Sequence, residues 1–146
     1  MTDFREHAGT FTLELHADAA RAWVALTQEM GDWWSADMTA AGGRMALEPE
    51  LGGRLFETTS DGGGILWATV GLLVPGTRLE CFGELSSAFG GPARTWHAFE
   101  IQPSTQGRST LTYQDHVWGA VDEGLGATLL EGWKAILGGL QRHMAG

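Results

Sequence analysis

Cysteine, basic residues and long apolar runs are all scarce in this 146-residue chain, and each shortage excludes a class of protein. The single cysteine, Cys81, excludes an internal disulfide and predicts a reducing, cytoplasmic location. The stretch from Met1 to Thr10 contains acidic residues and no apolar run, so we expect no signal peptide. No stretch approaches the roughly 20 apolar residues that a membrane span requires.

Positive charge is also in short supply, since nine basic residues stand against 18 acidic ones and the net charge is -9 at pH 7. Nucleic acids and anionic membranes are bound through clustered lysine and arginine. The basic residues are instead scattered along the sequence. We therefore expect neither nucleic acid nor a membrane as a partner.

Motifs for metals and phosphates are absent as well. The five histidines form no His-Glu-x-x-His pattern, and a Cys-x-x-Cys pair does not occur, so we expect no metal and no cofactor. The glycine runs at 52–53 and 62–64 lead from one predicted strand into the next. A phosphate-binding loop leads into a helix N-terminus instead, so these runs predict hairpin turns.

Tryptophan, by contrast, is abundant, with seven residues against one tyrosine. Large aromatic side chains fill protein cores and line apolar pockets alike. Composition alone therefore leaves a filled core and a ligand pocket open. The length fits one domain, residues 1–146, with a substantial hydrophobic core of its own.

The stretch 122–144 predicts one long amphipathic helix, around which the rest of the chain is organised. Glycines within it cost about 1 kcal/mol each relative to alanine, so the helix depends on docking. The strand-like middle of the chain is the only large partner surface, which places the core and any cavity between helix and sheet. Apolar residues recur at spacings of three, four and seven: Leu125, Leu129, Leu130, Trp133, Ile136, Leu137, Leu140 and Met144.

The preceding chain predicts a strand, one or two helices and about six antiparallel strands. Residues 11–15 alternate as a strand does, Asp18 is a predicted N-cap, and its helix should end at Gly31. Residues 32–35 favour either a second short helix or a loop. Short glycine and proline turns separate the strands predicted at 45–47, 54–59, 65–74, 78–84, 95–101 and 110–117. The fold class is α+β.

One polar group stands out among the predicted core residues. Alternation places His97 inward with Phe99 and Ile101, and it places Tyr113 and Asp115 on the same side. A buried ionisable group must be paired or shift its pKa, which makes such groups candidates for general acid–base chemistry. The alternative is that His97 and Tyr113 are satisfied residues at the core edge and that Asp115 caps or flanks a strand end.

Several short motifs, taken in order, resemble a known family. They are EPELGGRLFE at 48–57, the glycine turn at 62, WATV at 67–70 before Pro75, LTYQDHVWG at 111–119 and EGWKAILGGLQRH at 131–143. Their order and spacing are similar to those of bacterial proteins related to the activator of the heat-shock-90 ATPase (Aha-type). That group belongs to the START-like, or SRPBCC, superfamily, and the resemblance covers nearly the whole chain.

The resemblance implies a helix-grip fold, in which a curved antiparallel sheet of about six to seven strands wraps around a long C-terminal helix and a hydrophobic cavity lies between them. Such cavities hold lipids, sterols, polyketides and other apolar molecules, and some branches use them for cyclisation, dehydration or hydrolysis. The family has no universal catalytic set, so no catalytic residue is implied. The residues that the resemblance places at the cavity or its mouth are Trp34, Trp67, His97, Phe99, Tyr113, Leu129 and Trp133.

The resemblance also extends to one histidine and differs in one domain. His116 matches a histidine often found at that strand end in the family. The eukaryotic co-chaperone has a second, N-terminal domain without a counterpart in this sequence, so chaperone activation is not expected.

Three functions remain as hypotheses. The first is a cytoplasmic protein that binds a small apolar or aromatic molecule between sheet and helix. The second is an enzyme of the cyclase or hydrolase type that uses His97, Tyr113 or Asp115, which requires at least two of these groups to meet inside the cavity. The third is an interaction module, either co-chaperone-like or a homodimer, that uses exposed aromatic residues such as Trp33 and Trp96.

Overall fold

The computed structural model describes residues 3–145. Met1, Thr2 and Gly146 lie outside it, and the first two belong to the stretch in which we expect no signal peptide. Two short 3-10 turns, Ala36–Met38 and Ser87–Phe89, accompany the helices and strands. The helices and strands are β1 (Asp3–Leu15), α1 (Ala19–Gln28), α2 (Met30–Trp33), β2 (Arg44–Leu47), β3 (Arg54–Thr58), β4 (Gly64–Val74), β5 (Arg78–Leu85), β6 (Ala93–Pro103), β7 (Ser109–Val121) and α3 (Leu125–Ala145).

The strands form one curved, fully antiparallel sheet of seven strands in the order β1-β7-β6-β5-β4-β3-β2. The two strands that flank the α1–α2 segment, β1 and β2, form the two edges of the sheet. The chain therefore crosses one face of the sheet through these helices, and α3 returns to the same face. This is the helix-grip arrangement that the family resemblance implies.

Two bulges bend the middle of the sheet. Leu55 pairs with Ala68 and the next residue pairs with Leu66, so Trp67 is an extra residue in β4. A second irregularity, where β4 pairs with β5, leaves Gly71 without a partner. Bulges increase local twist and bend a strand. They curve the sheet around the space under α3 and turn Trp67 towards it.

The first strand is longer than the sequence pattern indicates. β1 begins at Asp3, not near Phe11, and pairs with β7 along all of its 13 residues. Its first half shows no apolar alternation because its side chains alternate only between exposed and half-buried positions at the sheet edge. Phe4, for instance, is 75% exposed.

The helical segment starts as predicted but ends differently. The Asp18 side chain accepts a hydrogen bond from the backbone N–H of Arg21 at 2.8 Å, which confirms the N-cap. The predicted stop at Gly31 is wrong, because α1 ends at Gln28 and Gly31 lies inside α2. The break turns Trp33 into the core, where its indole N–H donates to the Ala25 carbonyl at 2.8 Å.

The core lies between the sheet and the three helices. Inward residues of β6 and β7 alternate as predicted, with His97, Phe99, Tyr113 and Asp115 all buried. Within residues 3–145, no helix combines the length and the apolar character needed to cross a membrane. The largest fully buried side chains are Tyr113, Phe99, Leu15, Leu26, Leu55, Leu79, Ile101, Leu111, Leu137, Leu140, Glu57 and Thr27.

Candidate functional site

A cavity of about 170 Å³ lies between the sheet and the N-terminal half of α3 and opens to solvent. The sheet supplies one wall through β2 to β7, and α3 supplies the other at helical spacing. The apolar part of the lining consists of Trp34, Met45, Leu55, Trp67, Leu85, Val117, Leu129, Trp133 and Ile136.

Tryptophan rings shape the wall of the cavity. The ring of Trp34 meets Trp133 edge-on, with centroids 5.5 Å apart, and Trp67 packs against Phe89 at 5.0 Å. Trp133 also stacks on Tyr113 at 5.2 Å. The tryptophans therefore line the cavity without filling it.

Behind Trp133 lies a hydrogen-bonded chain of three polar side chains. The hydroxyl of Tyr113 donates to Asp115 Oδ2 at 3.0 Å, and Nδ1 of His97 lies 2.9 Å from the same hydroxyl. A phenol carries one proton, so Nδ1 of His97 must be the donor to the Tyr113 oxygen. This tautomer leaves Nε2 of His97 as a hydrogen-bond acceptor.

Burial sets the protonation of these groups. It lowers the pKa of His97 to about 4, so the ring is neutral at neutral pH. Burial and the neighbouring Asp115 carboxylate raise the pKa of Tyr113 well above its ordinary value. Burial also raises the pKa of Asp115, and the hydrogen bond from Tyr113 partly offsets this effect.

Two buried oxygens at this end of the cavity have no hydrogen-bond partner among the described residues. They are Oδ1 of Asp115, which is 2% exposed, and Oγ1 of Thr95, which is 6% exposed. Both residues line the cavity. Nearly all buried polar atoms in proteins are bonded, so two such oxygens at one site indicate a place where polar contacts can form.

The seven residues that the resemblance assigns to the cavity fall into two layers. Phe99 and Tyr113 lie in the layer beneath, in contact with Trp133 and outside the cavity wall. Their assignment as ligand contacts stays a prediction. The residues in the wall itself are Trp34, Trp67, His97, Leu129 and Trp133.

Three further lining residues carry a signal in the sequence. Thr95 is two residues before His97 on the same strand and therefore faces the same side of the sheet. Gly132 and Ile136 lie on the same face of the helix as Leu129. Asp115 does not flank a strand end, since it lies well inside β7.

Glu57 is a second buried carboxylate that the sequence analysis missed. It is 1% exposed and accepts hydrogen bonds from three backbone N–H groups, those of Ala40, Ala41 and Gly43, at 2.8–2.9 Å. Its alternation with Leu55 on β3 is the signal that could have found it. Because its bonds all go to one loop, Glu57 fixes the entry to β2 and does not belong to the cavity lining.

Other residues singled out in the sequence lie away from the cavity. His116 is on the opposite face of the sheet, 3.3 Å from Glu6. The prediction that Trp33 is exposed is wrong, since only 5% of it is accessible because it packs under α3. Trp96 is half-buried and donates to Glu80 at 2.9 Å. Burial raises the pKa of the Cys81 thiol to about 12, which favours a structural role.

No group of three or more His, Cys, Asp or Glu side chains within residues 3–145 is arranged to hold a metal ion.

Comparison with known proteins identifies relatives by fold only. No protein-family model and no curated protein matches the sequence. A protein of unknown function from Staphylococcus aureus is similar with a TM-score of 0.71 and 10% identity, over 98% of this chain and 96% of that chain. The Mll3558 protein from Rhizobium loti is similar with a TM-score of 0.69 and 20% identity, over 96% and 98% of the two chains.

A third similar structure is DynU16, a protein in the dynemicin biosynthetic locus. It has a TM-score of 0.68 and 18% identity, over 94% of this chain and 47% of DynU16. At these identities the likeness shows the fold alone. The chain thus has a helix-grip fold, in which seven antiparallel strands surround a C-terminal helix.

Proposed function

We propose that this protein binds a small apolar or aromatic molecule in the cavity between the sheet and α3. The observation that carries the proposal is a cavity of about 170 Å³ whose wall is mainly apolar and includes Trp34, Trp67 and Trp133. An engineered apolar cavity of about 150 Å³ in another protein binds benzene. The enclosed part of the ligand would accordingly be a single ring or a group of similar size.

Family and location belong to the same proposal. The order of the sequence motifs, together with the helix-grip fold, supports a place among the bacterial relatives of the Aha-type activator. The single cysteine, Cys81, is buried and free, which supports a reducing cytoplasm.

An acid–base enzyme of the cyclase or hydrolase type is the second candidate. It is favoured by the hydrogen bonds from His97 to Tyr113 and from Tyr113 to Asp115, which bring three ionisable groups together. The pKa of about 4 for His97 argues against it, because an efficient general base has a pKa near the working pH. The three groups are better suited to hydrogen bonding than to proton transfer at neutral pH.

An interaction surface is the third candidate, as a homodimer or as a co-chaperone-like module. Phe82 is 50% exposed and Phe4 is 75% exposed, and both lie on the face of the sheet opposite to the helices. Trp96 and Trp118 are half-buried on the same face. A monomeric mass in solution would argue against this candidate.

The binding proposal can be tested by filling the cavity from α3. Gly132 lies in the wall, and a Cβ added there would meet no atom within 4 Å. A leucine at this position should occupy the cavity. Gly138 is the matched control, because the nearest atom to its added Cβ is the flexible guanidinium of Arg142 at 3.4 Å and it does not line the cavity.

Calorimetric titration with p-xylene and with p-cresol would measure binding to the wild type, Gly132→Leu and Gly138→Leu. We expect the wild type and Gly138→Leu to bind at least one of the two compounds, and Gly132→Leu to bind it at least about tenfold more weakly. Native mass spectrometry of the gently purified protein should in addition reveal a stoichiometric apolar passenger. Failure of both compounds to bind, with no passenger, would overturn the proposal.

A further inference from the structure

The cavity is not apolar throughout, and its polar end has a definite hydrogen-bonding character. Asp115 uses Oδ2 to accept the hydrogen bond from Tyr113, while its buried Oδ1 has no partner among the described residues. A carboxylate oxygen of this kind accepts hydrogen bonds and donates none. The cavity wall therefore contains a buried acceptor with unused capacity.

A second acceptor lies on the neighbouring strand. His97 pairs with Asp115 across β6 and β7, and its Nδ1 proton is given to the Tyr113 oxygen. Nε2 of His97 consequently carries a lone pair, and His97 lines the cavity. Oδ1 of Asp115 and Nε2 of His97 are thus acceptors contributed by paired residues of adjacent strands.

The only hydroxyl among the lining residues of the sheet, within the described chain, is that of Thr95. It can donate one hydrogen bond and is itself without a partner among the described residues. No Lys or Arg is among the lining residues. Acceptors therefore outnumber donors at this end, and a ligand that brings a donor would satisfy what the protein leaves unpaired.

We propose that the polar end recognises a hydrogen-bond donor on the ligand ring, with a phenolic hydroxyl as the preferred group, and that Asp115 Oδ1 is its acceptor. This inference rests on the proposed function, since it names the ligand class for the same cavity. A neutral donor is favoured over an ammonium group, because burying a second charge in an apolar cavity costs more than burying a hydroxyl.

Two probes of the same shape separate this inference from simple apolar binding. p-Cresol carries a hydroxyl where p-xylene carries a methyl group, so a purely apolar cavity should prefer p-xylene. A cavity with a buried acceptor should reverse this order. We expect the wild type to bind p-cresol at least about tenfold more tightly than p-xylene in calorimetric titration.

Asp115→Asn tests the residue that the inference names. One side-chain oxygen can still accept the hydrogen bond from Tyr113, while an amide N–H₂ takes the place of Oδ1 and turns the acceptor into a donor. p-Cresol should then lose at least about tenfold in affinity, whereas p-xylene should change little. Asp122→Asn is the matched control, because Asp122 is an exposed carboxylate directly after β7 and outside the cavity lining.

Each outcome has a distinct meaning. Binding of p-xylene that equals or exceeds that of p-cresol would overturn the inference and leave the proposed function standing. The inference fails in the same way if Asp115→Asn keeps the p-cresol preference. Failure of the wild type to bind either compound would overturn the inference, and if no stoichiometric passenger is found either, it would overturn the proposed function as well. If Asp115→Asn does not fold, two other measurements still test the inference. One is the comparison of the two probes on the wild type. The other is Thr95→Val, because loss of the Thr95 hydroxyl should lower the affinity for p-cresol only.

Discussion

The two halves of α3 pack against the same sheet with opposite results. In the C-terminal half, Leu137 and Leu140 are fully buried against a layer that includes α1 and α2. In the N-terminal half, Leu129 is only half-buried and Gly132 faces open space. The α1–α2 layer fills the gap between helix and sheet at one end alone, and the other end is left as the cavity. The same apolar face of α3 thus stabilises the core in its C-terminal half and lines the cavity in its N-terminal half.

Truncating one leucine in each half should produce the largest difference. Leu140→Ala removes a fully buried side chain and should lower the free energy of unfolding by about 2–5 kcal/mol. Leu129→Ala removes a half-buried side chain that already faces the cavity, so a loss below about 1.5 kcal/mol is expected. Urea denaturation of both variants would measure these values. Equal losses would show that the two halves are packed alike.

The pH dependence of stability should reveal the buried imidazole that lies under Trp133, between the two halves. The pKa of His97 is lowered from 6.5 to about 4 in the folded protein, so the unfolded chain takes up the proton first as the pH falls. The contribution of His97 to the free energy of unfolding is therefore fully present above pH 6.5, and roughly 3 kcal/mol of it is lost as the pH falls towards 4.

The matched variant for this measurement is His97→Asn, whose amide can replace the Nδ1 donor but does not titrate. Its free energy of unfolding should fall less steeply than that of the wild type between pH 6.5 and pH 4. The raised pKa of Asp115 acts in the opposite direction, towards greater stability at low pH, and is present in both proteins. Identical slopes for the two proteins would mean that His97 is not buried in the neutral form.

Glycine-to-alanine substitutions offer the finest test of the comparison. A Cβ at Gly139 would collide with the backbone carbonyl of Trp33, which cannot rotate away, so Gly139→Ala should cost about 1–3 kcal/mol. Gly132→Ala meets no neighbour and should stabilise the helix by up to about 1 kcal/mol. Thermal unfolding would show opposite shifts of the midpoint. A loss at Gly132 would mean that the space under the N-terminal half is already filled.

Local patterns in the sequence predicted much of this architecture, because strand alternation and helical spacing report directly on burial. They placed His97, Tyr113 and Asp115 on the inner face, and the buried positions confirm that placement. The hydrogen bonds among them could not be predicted, since they depend on the register between β6 and β7.

Other features could not be predicted from the sequence because they arise from packing between distant elements. The break before α2 buries Trp33 under α3, and no local signal at Glu29 marks it. The bulge at Trp67 depends on how β3 pairs with β4. The stripe on α3 likewise gave no indication of which half would cover the cavity, since that depends on where α1 and α2 lie.

The pairing of β1 with β7 has a consequence for how the protein is made. Within residues 3–145, β1 pairs with β7 alone, and residues such as Phe11 and Tyr113 face each other across the two strands. As the chain leaves the ribosome, β2 to β6 can pair with one another through short turns, while β1 stays unpaired until β7 has been made. Such distant pairings slow folding because a long loop must close before any contact forms. The sheet, and the cavity beneath α3, therefore cannot be completed before β7 has been synthesised.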